Sequence, residues 1–169
     1  MARCAIEAAL AGRPEPRIPD IPAARLARGA FVSLHARAGE LRGCIGHVAG
    51  DRPLGAVIRQ VAVSAARSDP RFPPVTADEL PELRIEISVL SALARLANGD
   101  FRSLVIGRDG VLVRRARAQA VLLPQVALEQ GFDVERLLDA VCHKAGVARG
   151  SWREPATDVF TFTADVFAE

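Results

Sequence analysis

Leu41-Arg42-Gly43-Cys44-Ile45-Gly46 sets two glycines and a thiol within four consecutive residues of a chain otherwise rich in alanine and arginine. Glycine admits positive φ and close approach to the backbone, at a cost of about 0.5–1 kcal/mol inside regular structure, so each needs a local reason. Read as a strand over 41–45, the stretch points Arg42 and Cys44 to one face and Leu41 and Ile45 to the other. A guanidinium beside a thiol favours the thiolate, its nucleophilic form. A bulge at Gly43 or Gly46 would instead re-aim one of the two.

Working outward, Phe31-Val32-Ser33-Leu34 reads as a strand and Ala38-Gly39-Glu40 as the turn that completes a hairpin. Before it, residues 2–11 read as a helix, and Pro14, Pro16, Pro19 and Pro22 make an extended connector with few backbone donors. After it, Pro53 suits a first helical turn, and Leu54, Val57, Ile58, Val61, Ala62 and Ala65 follow helical spacing, predicting a helix over 53–67. Asp69-Pro70-Arg71-Phe72-Pro73-Pro74 cannot continue that helix and reads as an ordered loop pinned by Phe72. Thr76 with Glu79 is a capping-box pattern, and Pro81 stops the short helix it starts.

Leu83 to Val89 alternates, with Leu83, Ile85, Ile87 and Val89 inward and Glu86 and Ser88 on the second face. Asn98-Gly99-Asp100 reads as a turn. Leu104-Val105-Ile106 and Val111-Leu112-Val113, joined around Arg108-Asp109-Gly110, read as a hairpin, with Ala120 to Leu123 as a third strand. Pro124 opens a short helix closed by Gly131. Asp133 is the N-cap expected for a helix whose stripe is Val134, Leu137, Leu138, Val141, Cys142 and Ala145, ended by Gly146. Val159 to Phe167 reads as a final strand. Strands in hairpins without regularly alternating helices predict an α+β fold with a mainly antiparallel sheet flanked by helices.

At 169 residues the chain suits one domain, 1–169, with residues 1–25 as N-terminal helix and Pro-rich connector. Its 22 basic and 20 acidic residues leave a net charge of only +2, so nothing demands nucleic acid or an anionic membrane. No apolar run approaches a membrane span. Met1 to Leu10 carries Arg3 and Glu7 and lacks a signal-peptide pattern, which points to the cytoplasm. Cys4, Cys44 and Cys142, odd in number and far apart, suit reduced thiols. All but one of the basic residues are arginine. The exception, Lys144, lies in a last helical turn, where a cation complements the helix dipole.

No dinucleotide, Walker, nucleophile-elbow or zincin pattern occurs, so no cofactor is expected. A metal is a poor fit, since Cys44 and His47 make half of a zinc spacing while the cysteine of Cys142-His143 belongs to a core stripe. Arg114-Arg115-Ala116-Arg117 reads as a solvated hairpin end.

Leu-Arg-Gly-Cys-Ile-Gly at 41–46, Asp-Pro-Arg-Phe-Pro-Pro at 69–74, Glu-Ile-Ser-Val-Leu at 86–90, Gly-Arg-Asp-Gly at 107–110, Leu-Leu-Pro-Gln-Val at 122–126 and Lys-Ala-Gly at 144–146 together resemble the AMMECR domain family over about residues 26–167. The resemblance implies a compact two-lobed α+β domain in the cytoplasm. It also implies association with a Memo-like protein and a radical SAM enzyme, and it supplies no established reaction. His47 lies outside the family motif.

Cys44 reads either as a nucleophile activated by Arg42 or as a small residue filling a tight turn. Arg42, Asp69 and Arg71 read as an anion clamp, or Asp69 and Arg71 as an internal ion pair that holds the loop. Glu86 and Ser88 read as a base and hydroxyl bordering Cys44, or as a plain strand face. The resulting site assignment is Cys44, Arg42 and Glu86 for chemistry. Gly43, Ile45, Gly46, Asp69 and Arg71 are assigned to contact with a small-molecule or peptide ligand. The competing reading is a non-catalytic adaptor for the Memo-like or radical SAM partner.

Overall fold

Apolar residues at helical and at two-residue spacing build the elements seen in the structure, a computed structural model that describes residues 1–96 and 100–169. The Asn98-Gly99 part of the expected turn lies outside the described residues. The helices are α1 (Ala2–Leu10), α2 (Pro22–Arg25), α3 (Leu54–Arg67), α4 (Pro124–Glu129) and α5 (Val134–Lys144). The strands are β1 (Ala30–His35), β2 (Leu41–His47), β3 (Arg84–Leu90), β4 (Ala94–Arg95), β5 (Gly110–Arg115), β6 (Ala118–Leu122), β7 (Asp158–Phe162) and β8 (Ala164–Ala168). They form two sheets, ordered β2-β1-β3-β8 and β4-β7-β5-β6, so the fold is α+β with antiparallel hairpins. The chain divides into two compact units, Met1–Leu90 with Asp165–Glu169, and Ser91–Ala164.

In the first unit, Val57, Ile58, Val61, Ala62 and Ala65 of α3 bury against Val32 and Leu34 of β1 and Ile85 of β3. Each large side chain so buried contributes about 1.5–3 kcal/mol. Alternation then sends Phe31, Ser33 and His35 of β1 to the sheet's other face, with Glu86 and Ser88 of β3. On β2, Ile45 packs toward the core, leaving Cys44 and Gly46 on that same second face. Pairing completes the placement: Ser33 stands opposite both Cys44 and Glu86, and Phe31 opposite both Gly46 and Ser88. The Pro-rich connector ends in the short α2, whose Ala24 is buried, where only extended chain was expected.

In the second unit, Asp133 caps α5 by accepting the Arg136 N–H at 2.8 Å, and Leu137, Leu138, Val141 and Cys142 form its buried stripe. Burial pushes the Cys142 thiol pKa up. Asp139 accepts the Gly150 N–H and the Trp152 Nε1–H, both at 2.8 Å.

Two expected strands differ. Leu104 to Ile106 is not a strand: the buried Asp109 carboxylate accepts the Val105 N–H at 2.8 Å and pairs with Arg108, closing a turn before Gly110. The hairpin is β5 with β6, turning at Ala116 with φ 53°. The expected strand over 159–167 breaks at Thr163, because β7 belongs to one sheet and β8 to the other. Periodicity is unchanged across that switch.

Candidate functional site at Cys44

Strand β2 is a sheet edge, so outward backbone groups there need partners other than a neighbouring strand. At Cys44 the loop after α3 supplies them. Asp69 Oδ2 accepts the Cys44 N–H at 2.8 Å, and Arg71 Nη2 donates to the Cys44 carbonyl at 3.1 Å. Asp69 also takes Nε and Nη2 of Arg71 at 2.9 and 2.7 Å and the Arg71 backbone N–H at 3.1 Å. The Asp69 side chain is 2% exposed, and its hydrogen bonds, those from Arg71 foremost, hold its pKa far below the ordinary carboxyl range. An acid this strong is a fixed anion and not a proton acceptor near neutral pH.

Arg42 is the unpaired residue of a bulge, since Leu34 faces Gly43 while His35 faces Leu41. Its guanidinium forks onto Glu79 at 2.5 and 3.1 Å and donates to the Pro73 carbonyl at 2.8 Å. Glu79 is fixed in turn by Thr76, each accepting the other's backbone N–H at 3.3 Å, and Arg42 lowers its pKa. Arg42→Met is therefore expected to loosen the 73–79 segment and lower stability by about 1–2 kcal/mol, read as a shift in the urea midpoint at constant slope.

The cation next to the thiol is Arg71. Its pKa is raised first by the hydrogen bond to Asp69, and the neighbouring Cys44 adds to the effect. From the other side Ser33 Oγ donates to Cys44 Sγ at 3.2 Å. Cys44 is half-buried, and Glu86, beyond Ser33, is half-buried with no hydrogen-bond or ion-pair partner among the described residues. The two glycines face protein atoms. A Cβ at Gly43 would lie 2.3 Å from the Ala65 carbonyl oxygen, and one at Gly46 would lie 2.2 Å from the Phe31 ring.

Sequence reasoning missed Ser33 and Glu79. The alternation of 31–34 put Ser33 opposite Val32 in direction, but only the register with β2 sets it against the thiol. Glu79 had a signal, its capping-box spacing, without any hint that it also holds Arg42. Elsewhere, His47 meets Asp51 at 2.6 Å, and Lys144 Nζ donates to the Val121 carbonyl at 3.0 Å. Among the described residues no group of three or more His, Cys, Asp or Glu side chains is placed to hold a metal, and no helix is long and apolar enough to cross a membrane. A groove of about 640 Å³ is lined by Arg37, Gly39, Arg84 and Glu169, among others, and not by Cys44.

A family model described as AMMECR1 matches residues 1–167. A protein of Methanothermobacter thermautotrophicus is 43% identical over 175 aligned positions, covering 100% of this chain and 91% of that protein. Protein TK0174 of Thermococcus kodakarensis is 42% identical over 132, covering 76% of this chain and 64% of that protein. Among solved structures, the crystal structure of uncharacterized protein PH0010 from Pyrococcus horikoshii superposes with a TM-score of 0.92 at 36% identity, covering 99% of this chain and 87% of that one.

Proposed function

Because the chain belongs to the AMMECR1 family, whose members so matched carry no stated activity, we propose from the site's chemistry that Cys44 is a thiolate nucleophile that takes an electrophilic ligand covalently. The observation that carries this is the Ser33 hydroxyl donating to Sγ at 3.2 Å, with the Arg71 guanidinium held beside the same residue by its donation to the Cys44 carbonyl at 3.1 Å. A hydroxyl donor and a neighbouring guanidinium are the kinds of group that assist attack of a sulfur on an electrophile. Asp69 supports the chemistry by orienting Arg71, and Arg42 by anchoring the loop that carries it. The protein so read is the thiol-bearing or ligand-handling component of a modification system with a Memo-like protein and a radical SAM enzyme. Support for those partners is the resemblance of its motifs alone.

The exposed Cys4 is a built-in reference for the test. With iodoacetamide at about pH 7 and peptide mapping by mass spectrometry, Cys44 is expected to alkylate about ten-fold faster than Cys4, and Arg71→Met is expected to remove most of that advantage. A Cys44 that labels no faster than Cys4, or not at all in the folded protein, overturns the nucleophile. An adaptor role would then stand, provided Cys44→Ala leaves partner binding and pathway output unchanged.

A further inference from the structure

Three arginines and two glutamates line the groove of about 640 Å³ at one end of the first sheet. Its walls are the turn between β1 and β2 together with Arg3, Arg37, Glu82, Leu83, Arg84 and Glu169, all of them in the first unit. A volume of this size lies within the range of about 300–1,000 Å³ usual for small-molecule sites.

The acceptors of the groove are already taken. Arg3 Nε donates to Glu169 Oε1 at 2.9 Å, while its Nη1 and Nη2 donate to the Leu80 and Leu83 carbonyls at 2.8 and 2.6 Å. Arg37 Nη2 donates to Glu82 Oε1 at 3.1 Å. These pairs hold the walls: the first ties α1 and the end of β8 to the 80–83 segment, and the second ties the β1–β2 turn to the same segment.

Arg84 is the cation left over. It is exposed, and among the described residues it has no hydrogen-bond, ion-pair or ring partner. Glu86, two residues further along the same face of β3, is not bonded to it. An exposed arginine is ordinarily a solvated one. Arg84 differs in lining a groove whose two glutamates are occupied, beside apolar surface from Leu83, Ala36 and Ala38.

We propose that this groove binds a small organic oxyanion, a carboxylate or a phosphate ester on an apolar body, with Arg84 as its recognition fork. The planar guanidinium matches either group with two parallel N–H donors, and Leu83 with the two alanines covers the apolar part. A cationic ligand would have to break an arginine–glutamate pair to reach an acceptor, whereas an anion breaks none. Binding here is independent of the reactivity of Cys44.

Phenyl phosphate and benzoate are the probes, with benzamide as the uncharged control. In an amide NMR titration of the full chain, an oxyanion probe is expected to shift Arg37, Ala38, Gly39, Leu83 and Arg84 together and to bind at least about ten-fold more tightly than benzamide. The tighter of the two oxyanions identifies the group recognised. Arg84→Met is expected to weaken that probe about ten-fold and leave benzamide unchanged, and Arg84→Lys to recover part of the loss. Because Arg84 is exposed and bonded to nothing among the described residues, neither substitution should move the urea midpoint, so lost binding is distinct from lost folding. Ala38→Trp, which alters no charge, should weaken all three probes by filling the groove. Oxyanion probes that do not bind below about 10 mM, that bind Arg84→Met as they bind wild type, or that bind no more tightly than inorganic phosphate would overturn the assignment.

Discussion

Replacing Asp69 by alanine is expected to cost about 3 kcal/mol of stability, as large as any single change at the site. The substitution strands two groups at once. The Cys44 N–H loses its acceptor on a sheet edge, and Arg71 loses the carboxylate that orients it. Removing one member of a buried charged pair typically costs about 3–5 kcal/mol. The lower end applies here because the Arg71 side chain is 54% exposed and water compensates part of its loss. Asp69→Asn keeps the shape and isolates the charge. Folding lowers the Asp69 pKa, so its contribution is fully present above the unfolded carboxyl value of about 4 and is lost as pH falls from there toward the depressed folded value. The stability gap between wild type and Asp69→Asn, measured by urea unfolding, should therefore be constant near neutrality and shrink steadily in acid. A gap independent of pH down to about pH 2 would mean that the carboxylate charge contributes nothing.

How much of this was legible beforehand depends on the range of the interaction. Helix α3 and the Asp133 cap of α5 were readable because their signals, helical spacing and a side chain accepting an N–H three residues on, lie within a few residues of one another. The α+β class followed from hairpins for the same reason. Leu104-Val105-Ile106 misled because β-branched apolar residues near Arg108-Asp109-Gly110 satisfy a hairpin pattern equally well, while the deciding contact is a buried carboxylate accepting the Val105 N–H. The break at Thr163 left no mark at all, since two strands in different sheets alternate like one. At the site, composition marked Cys44 as unusual but paired it with the arginine nearest in sequence. A one-residue bulge sends Arg42 to Glu79, and a loop 27 residues further on brings Arg71 to the cysteine instead. Ser33 became visible only through cross-strand register, which periodicity constrains in direction but not in position.

Gly43→Ala is expected to be comparably damaging, for a reason that separates the two meanings a glycine can have beside a reactive group. Gly43 is not among the residues with positive φ, so backbone strain is not at issue. The added methyl would stand 2.3 Å from the Ala65 carbonyl oxygen of α3. That neighbour is main chain inside a helix, so no change of rotamer relieves the overlap, and α3 must shift as a body at a cost of about 3 kcal/mol. Gly39→Ala is the control: its φ of 97° strains any side chain, but nothing lies within 4 Å, and the loss should stay near about 1 kcal/mol. Ala65→Gly should fail to rescue Gly43→Ala, because the obstructing oxygen remains. Since Asp69 follows α3 directly, a displaced helix also withdraws the acceptor from Cys44, so Gly43→Ala and Asp69→Ala together should cost clearly less than the sum of the two. A Gly43→Ala variant of wild-type stability would instead return Gly43 to the role of an opening for ligand.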